Sequence, residues 1–187
     1  MNPKSKVLAL GCGLALIFFI TAAAWGAEAD PKVGQVVGSV KFNPHITPEA
    51  AKYLGLANQE AFTFKDVKAP YMLVEQFNTS CPHCMHQAPF LNGVYDLVQK
   101  DAKLKDKVKF MGVGQGNAEP QLKMWQAFHK VPFPLIPDPD SGLGKALNFS
   151  PYPVTFLVDK SGKILWVHIG AFDNADEVYK EIQKVAK

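Results

Sequence analysis

The spacing of apolar residues changes abruptly near the middle of the chain. Tyr71-Met72-Leu73-Val74-Glu75-Gln76-Phe77 is a nearly continuous apolar run of strand length, ended by the polar Asn78-Thr79-Ser80. This is the pattern of a central strand covered on both faces. Directly after it, Cys84, Ala88, Leu91, Tyr95 and Val98 recur every three or four positions. That period predicts a helix over residues 81–100 with one buried face, kinked at Pro89.

Downstream the alternation continues. Residues 108–113 read as a strand, 119–130 as a helix opened by Pro120, 133–136 as a short extended piece, and 143–147 as a short helix. Residues 154–158 and 164–169, joined by Lys160-Ser161-Gly162-Lys163, predict a β-hairpin. A last helix from about Asn174 turns Val178, Ile182 and Val185 inward. Upstream, residues 31–70 are punctuated by Pro44, Pro48 and Pro70 and read as irregular, packed on the domain edge. Phe62-Thr63-Phe64-Lys65-Asp66 alternates like an outer strand. Strands alternating with helices and closing in a hairpin define an α/β fold, a three-layer α/β/α sandwich with a mixed central sheet.

The first 29 residues follow another rule. Lys4 and Lys6 precede an apolar run over residues 7–24, and small residues follow at Ala24-Trp25-Gly26 and Ala27-Glu28-Ala29. This is the layout of an export signal cut after Gly26 or Ala29, and the run is also long enough to remain as an N-terminal membrane anchor. Cys12 lacks the flanking pattern of a lipid-modified cysteine. The expected localisation is therefore periplasmic or otherwise extracytoplasmic, with the folded part soluble or tethered.

Charge narrows the function. All 20 basic residues are Lys, and setting aside Lys4 and Lys6 leaves 18 against 17 acidic residues. That near balance argues against a nucleic-acid partner, and the lack of Arg excludes any mechanism needing a bidentate guanidinium. Lysines and acids interleave between Lys100 and Lys109, as on a solvated helix end and loop.

Beyond the leader only Cys81 and Cys84 remain, and an oxidising compartment permits them to pair as a disulfide, structural or catalytic. Cys81-Pro82-His83-Cys84 falls where the strand ends and the helix begins. There the backbone N–H groups and the positive end of the helix dipole favour a thiolate at Cys81. A thiolate attacks a disulfide, and a cysteine three residues on can resolve the mixed disulfide that results. Pro82 suits the first helical turn and His83 can stabilise the thiolate. Glu75, inside the apolar strand, should have its pKa raised by burial and is a candidate proton acceptor for Cys84. Haem attachment is excluded because Met85, not His, follows Cys84.

Taken together, these residues resemble the thioredoxin superfamily, and within it the TlpA/ResA-like exported thiol:disulfide oxidoreductases, over residues 60–187. Glu75, Cys81, Cys84 and Pro89 stand in that family's order and spacing. Tyr152-Pro153-Val154-Thr155-Phe156-Leu157-Val158-Asp159 resembles its cis-proline loop. The resemblance implies a thioredoxin-like fold over residues 61–187, behind an extension at 30–60 and the leader at 1–29. It further implies that Pro153 is cis and that the Tyr152 backbone pairs with a substrate strand. Exchange of a Cys81–Cys84 dithiol and disulfide with exported protein thiols follows, with a membrane or periplasmic redox partner and no cofactor. Two positions depart from the family: Gln87 stands where Glu is frequent and Ser80 where Trp is common. The Pro-His pair resembles that of DsbA-like oxidants.

Two other functions compete. A peroxiredoxin-like antioxidant protein would resemble Pro-x-x-x-Thr/Ser-x-x-Cys with an Arg, but Val74 and Asn78 hold those places. A copper- or zinc-handling protein would draw on Cys81, Cys84 and one of His83, Met85 or His86. His45, His129 and His168 have no ligand spacing, and Gly114-Gln115-Gly116-Asn117 reads as a strand-end turn bordering the site.

Overall fold

The computed structural model describes residues 29–42 and 46–186. The leader pattern, Cys12 and His45 lie outside them. Among the described residues no helix is long and apolar enough to cross a membrane.

Five strands form one sheet: β1 Tyr71–Phe77, β2 Val108–Gln115, β3 Leu135–Asp138, β4 Val154–Asp159 and β5 Ile164–Ile169. Their spatial order is β3-β2-β1-β4-β5. β1, β2 and β3 are parallel, while β4 runs antiparallel to β1 and to β5, so the sheet is mixed. α2 Pro82–Lys100 and α3 Glu119–His129 are the crossovers from β1 to β2 and from β2 to β3. Both add their apolar side chains to one sheet face, together with α5 Ala175–Val185. The opposite face is covered by α1 Pro48–Leu54, α4 Gly142–Leu147 and residues 37–42. The α/β/α sandwich thus has the layers expected from the sequence.

β1 is the central strand, and its alternation sorts the core. Leu73 and Phe77 pack with α2 and α5, whereas Met72 and Val74 pack with the N-terminal segment, all at 3% exposure or less. Six of its seven residues are buried, which accounts for the unbroken apolar run. α2 passes through Pro89 as one helix, at the loss of the N–H that would pair with the Met85 carbonyl.

The N-terminal part is more ordered than its prolines suggested. Residues 48–54 form a helix, because Thr47 caps it by accepting from Ala50 N, Pro48 occupies the first turn, and Gly55 closes it with φ of 69°. The strand expected over residues 62–66 shrinks to a single bridge, Phe42 to Phe62, followed by a 3₁₀ turn at Phe64–Asp66. The Thr63 N–H and hydroxyl both donate to Asp66 Oδ2, at 2.7 and 2.9 Å, which folds the chain back. Both phenylalanines are thereby buried in the same cluster as Val37, Leu54 and Phe156. Upstream, Val37 N donates to Gly162 O and Gly34 N to Ile164 O, each at 2.8 Å, so this segment is bound along the β4–β5 hairpin.

Candidate active site

The end of β1 is fixed before the cysteines begin. Asn78 donates from Nδ2 to the Gln115 carbonyl at 2.7 Å, and its Oδ1 accepts from Ser80 N and Ser80 Oγ at 2.9 and 2.6 Å. Thr79 N donates to Asn117 Oδ1 at 2.9 Å. The turn after β2, read from the sequence as bordering the site, therefore clamps the loop that carries Cys81.

Cys81 is the N-cap of α2, in extended conformation, with Pro82 in the first turn. Its sulfur accepts the Cys84 N–H at 3.2 Å, so a helix-terminal donor points at Sγ. Cys81 Sγ also lies 3.7 Å from the Tyr152 carbonyl, toward which the thiol donates. The Tyr152–Pro153 peptide is cis. Pro153 is buried, while Pro82, His83 and Tyr152 are exposed. The loop before Pro153 is held from below by Gln76, whose Nε2 donates to the carbonyls of Phe149 and Pro151 at 3.3 and 3.5 Å.

Both cysteines are free thiols. Cys81 is 7% exposed and Cys84 fully buried. Burial pushes the Cys84 thiol well above the ordinary range. Its hydrogen bond with Cys81 adds to that effect, a hydrogen bond from the Asn78 backbone opposes it, and the nearby Glu75 charge raises it further. An outer sulfur that receives a helix N–H and an inner one held protonated suit an attacking and a resolving role respectively.

Glu75, on the α2 side of β1, is 5% exposed. Burial raises its pKa from 4.5 to about 7, against the opposing effect of a hydrogen bond from Gln87. Gln87 lies one turn beyond Cys84 and is fully buried. Its Nε2 donates to Glu75 Oε1 at 2.7 Å and to Thr155 Oγ1 at 3.1 Å, while its Oε1 accepts from Phe172 N at 3.2 Å. Thr155 stands opposite Glu75 in the β1–β4 register. One amide thus joins the strand under the thiols, the strand after Pro153 and the loop that leads from β5 into α5. Sequence reasoning named Gln87 only as a departure and did not name Thr155, because their partners lie 12, 68 and 85 positions away.

The remaining candidates are scattered. His86 rests on the Phe90 ring at 5.4 Å, His129 on Trp125 at 4.1 Å, and His168 against Phe172 at 5.7 Å. Among the described residues no group of three or more His, Cys, Asp or Glu side chains is gathered as for a metal ion. Val74 is fully buried in the cluster on the other sheet face, away from Cys81.

The sheet order, the dithiol at the start of α2 and the cis-proline loop against it define a thioredoxin-fold protein with a paired-cysteine site. Residues 40–182 match the Redoxin family model, and the chain belongs to that family. It is 24% identical over 111 residues to the thiol-disulfide oxidoreductase ResA of Geobacillus thermodenitrificans, a match covering 59% of this chain and 61% of that protein. The chain therefore spans about three-fifths of the length of the curated relatives it matches. StoA of Bacillus subtilis superposes with a TM-score of 0.53 at 22% identity, over 65% of this chain and 87% of that one. The thioredoxin domain of a thiol-disulfide oxidoreductase from Bacteroides vulgatus gives 0.60 at 18% identity, over 83% and 99%. These likenesses establish the fold.

Proposed function

We propose that the protein is a thiol:disulfide oxidoreductase acting outside the cytoplasm, exchanging a Cys81/Cys84 dithiol for a disulfide with protein partners. The observation that carries this is the placement of the two sulfurs. Cys81 Sγ accepts a helix N–H and faces the Tyr152 carbonyl, with Cys84 buried one turn below it. The leader pattern in residues 1–29 supports the compartment, and the relatives' names agree with the chemistry.

In the reducing direction the Cys81 thiolate attacks one sulfur of a partner disulfide. A Cys81–partner disulfide forms and the partner's other sulfur leaves as a thiolate that takes up a proton. Cys84 then loses its proton to Glu75 and attacks Cys81 Sγ. The Cys81–Cys84 disulfide forms, the partner's second thiol is released, and two electrons have passed to the partner. Every step reverses, so the potential of the pair relative to its partner sets the direction. In the mixed disulfide the exposed backbone at Tyr152 offers strand-like pairing to the partner chain.

The test is trapping. A Cys84→Ser variant incubated with a disulfide-bonded peptide should accumulate a mixed disulfide at Cys81, seen by mass. A Cys81→Ser variant should neither trap peptide nor catalyse exchange. Full exchange by Cys81→Ser would overturn the assignment.

A further inference from the structure

The described residues leave seven large apolar side chains exposed, and they are not evenly spread. Met85, Met124 and Phe128, at 43%, 74% and 82% exposure, line one groove of about 420 Å³ between the start of α2 and α3. Its floor is Trp125, held in place by Phe77 at 5.2 Å between ring centres. Its other walls are Thr79, Gln121 and His129, so no Lys, Asp or Glu lines it in a chain that carries 37 of them. Isolated apolar residues on a surface need no explanation, but a contiguous set around a rigid aromatic floor marks a binding surface. Methionines are suited to such a surface because their unbranched side chains adapt to different occupants.

The groove is continuous with the candidate exchange site. Thr79 lies two residues before Cys81 and Met85 directly follows Cys84, so the groove begins where the dithiol ends. The groove therefore borders the place where a partner polypeptide would be joined to Cys81 Sγ.

We propose that this groove seats a bulky apolar side chain of the partner polypeptide, one or two residues from its reacting cysteine, and so makes the exchange selective for apolar-flanked cysteines in extended chains. This rests on the oxidoreductase reading above. The partner is then an unfolded or unstructured segment with Leu, Phe, Trp or Met beside its cysteine, rather than glutathione or a polar loop. The covalent steps are those already given; the groove adds only non-covalent binding to the partner chain.

The experiment compares two peptide disulfides that differ only in the residues after the cysteine, Leu-Phe in one and Ser-Gly in the other. Second-order exchange rates with the reduced protein should favour the Leu-Phe peptide by about tenfold, as expected for burying much of one large apolar side chain. The double variant Met124→Ser, Phe128→Ser should bring that ratio close to one. A ratio within each protein is read, so a general loss of activity does not imitate the result. Equal rates for both peptides in the wild type, or an unchanged ratio in the variant, would overturn the groove while leaving the oxidoreductase reading intact. Failure to react with either peptide or with a small aromatic disulfide would overturn the oxidoreductase reading itself. Equal peptide rates with a dimer that the double variant abolishes would assign the groove to a second copy and overturn the proposal. A readout independent of exchange is the indole ¹⁵N resonance of Trp125, which should move with a cysteine-free Leu-Phe peptide; a resonance that stays fixed counts against the groove.

Discussion

Glu75→Gln removes a buried ionisable group, and its effect on stability should depend on pH in an unusual direction. The carboxyl is 5% exposed and receives one N–H, from Gln87 at 2.7 Å. Burial raises its pKa from 4.5 to about 7, whereas in the unfolded chain it returns to its ordinary value. The native state therefore keeps a proton that the unfolded state gives up across this window. Stability from this group is fully present below pH 4.5 and is lost as pH rises to about 7, the reverse of a salt-bridged carboxylate. At about 1.4 kcal/mol per unit of displacement, the loss is about 3 kcal/mol. The Gln variant retains an oxygen to accept from Gln87 and has no charge to bury. Urea unfolding of both reduced proteins, from about pH 4.5 to 8, should show their difference moving by about 3 kcal/mol in favour of the variant, mostly between pH 5 and 7. A difference that stays constant over that range would refute the neutral buried carboxyl.

The same substitution should alter the resolving step. In single-turnover measurements the wild-type rate of mixed-disulfide release should rise as pH increases through about 7, when Glu75 loses its proton and can accept that of Cys84. The variant should lose that inflection and about 100-fold in rate, and an unaltered profile would remove Glu75 from the mechanism. Gln87→Ala should cost about 2–4 kcal/mol in denaturant unfolding, because it strips partners from Glu75, Thr155 and the Phe172 N–H together. It should also move the Glu75 titration, followed by carboxyl-carbon NMR, to higher pH, since the lost hydrogen bond is the one that lowers it. Gly162→Ala should cost more than about 2 kcal/mol and expose residues 31–42 to proteolysis. Gly162 has φ of 77°, and an added Cβ would press on the Gly38 backbone. A loss below about 1 kcal/mol would mean that the N-terminal segment is only loosely bound to the hairpin.

Strand β1 and helix α2 were legible because the apolar period changes between them within a few residues, and that change also places the two cysteines. The hairpin was legible from its Ser161-Gly162 turn. Helix α1 was not, because the prolines of residues 31–70 obscured a complete local code: Thr47 as cap, Pro48 in the first turn and Gly55 at the end. The alternation in residues 62–66 suggested a strand, yet a short alternating run cannot resist a Thr–Asp pair that closes a turn across it. At the site, Glu75 stood out as an acid within an apolar run. Gln87 and Thr155 did not, since a buried amide and hydroxyl carry no sign of their partners until the fold brings distant segments together.

Glu75 and Gln76 are consecutive residues that serve opposite layers. The carboxyl lies toward α2 and the thiols, and the amide reaches the other way to the carbonyls that precede Tyr152. Because neighbours in a strand always project to opposite faces, one residue inserted or deleted within β1 would exchange these two side chains. The amide would come to lie under the thiols, and a carboxyl with at most one proton to donate would replace the amide N–H₂ that holds the loop's two carbonyl oxygens. This stretch can therefore diverge by substitution but not by length, and the spacing between Tyr71 and Cys81 is as strict a part of the molecule as the cysteines it presents.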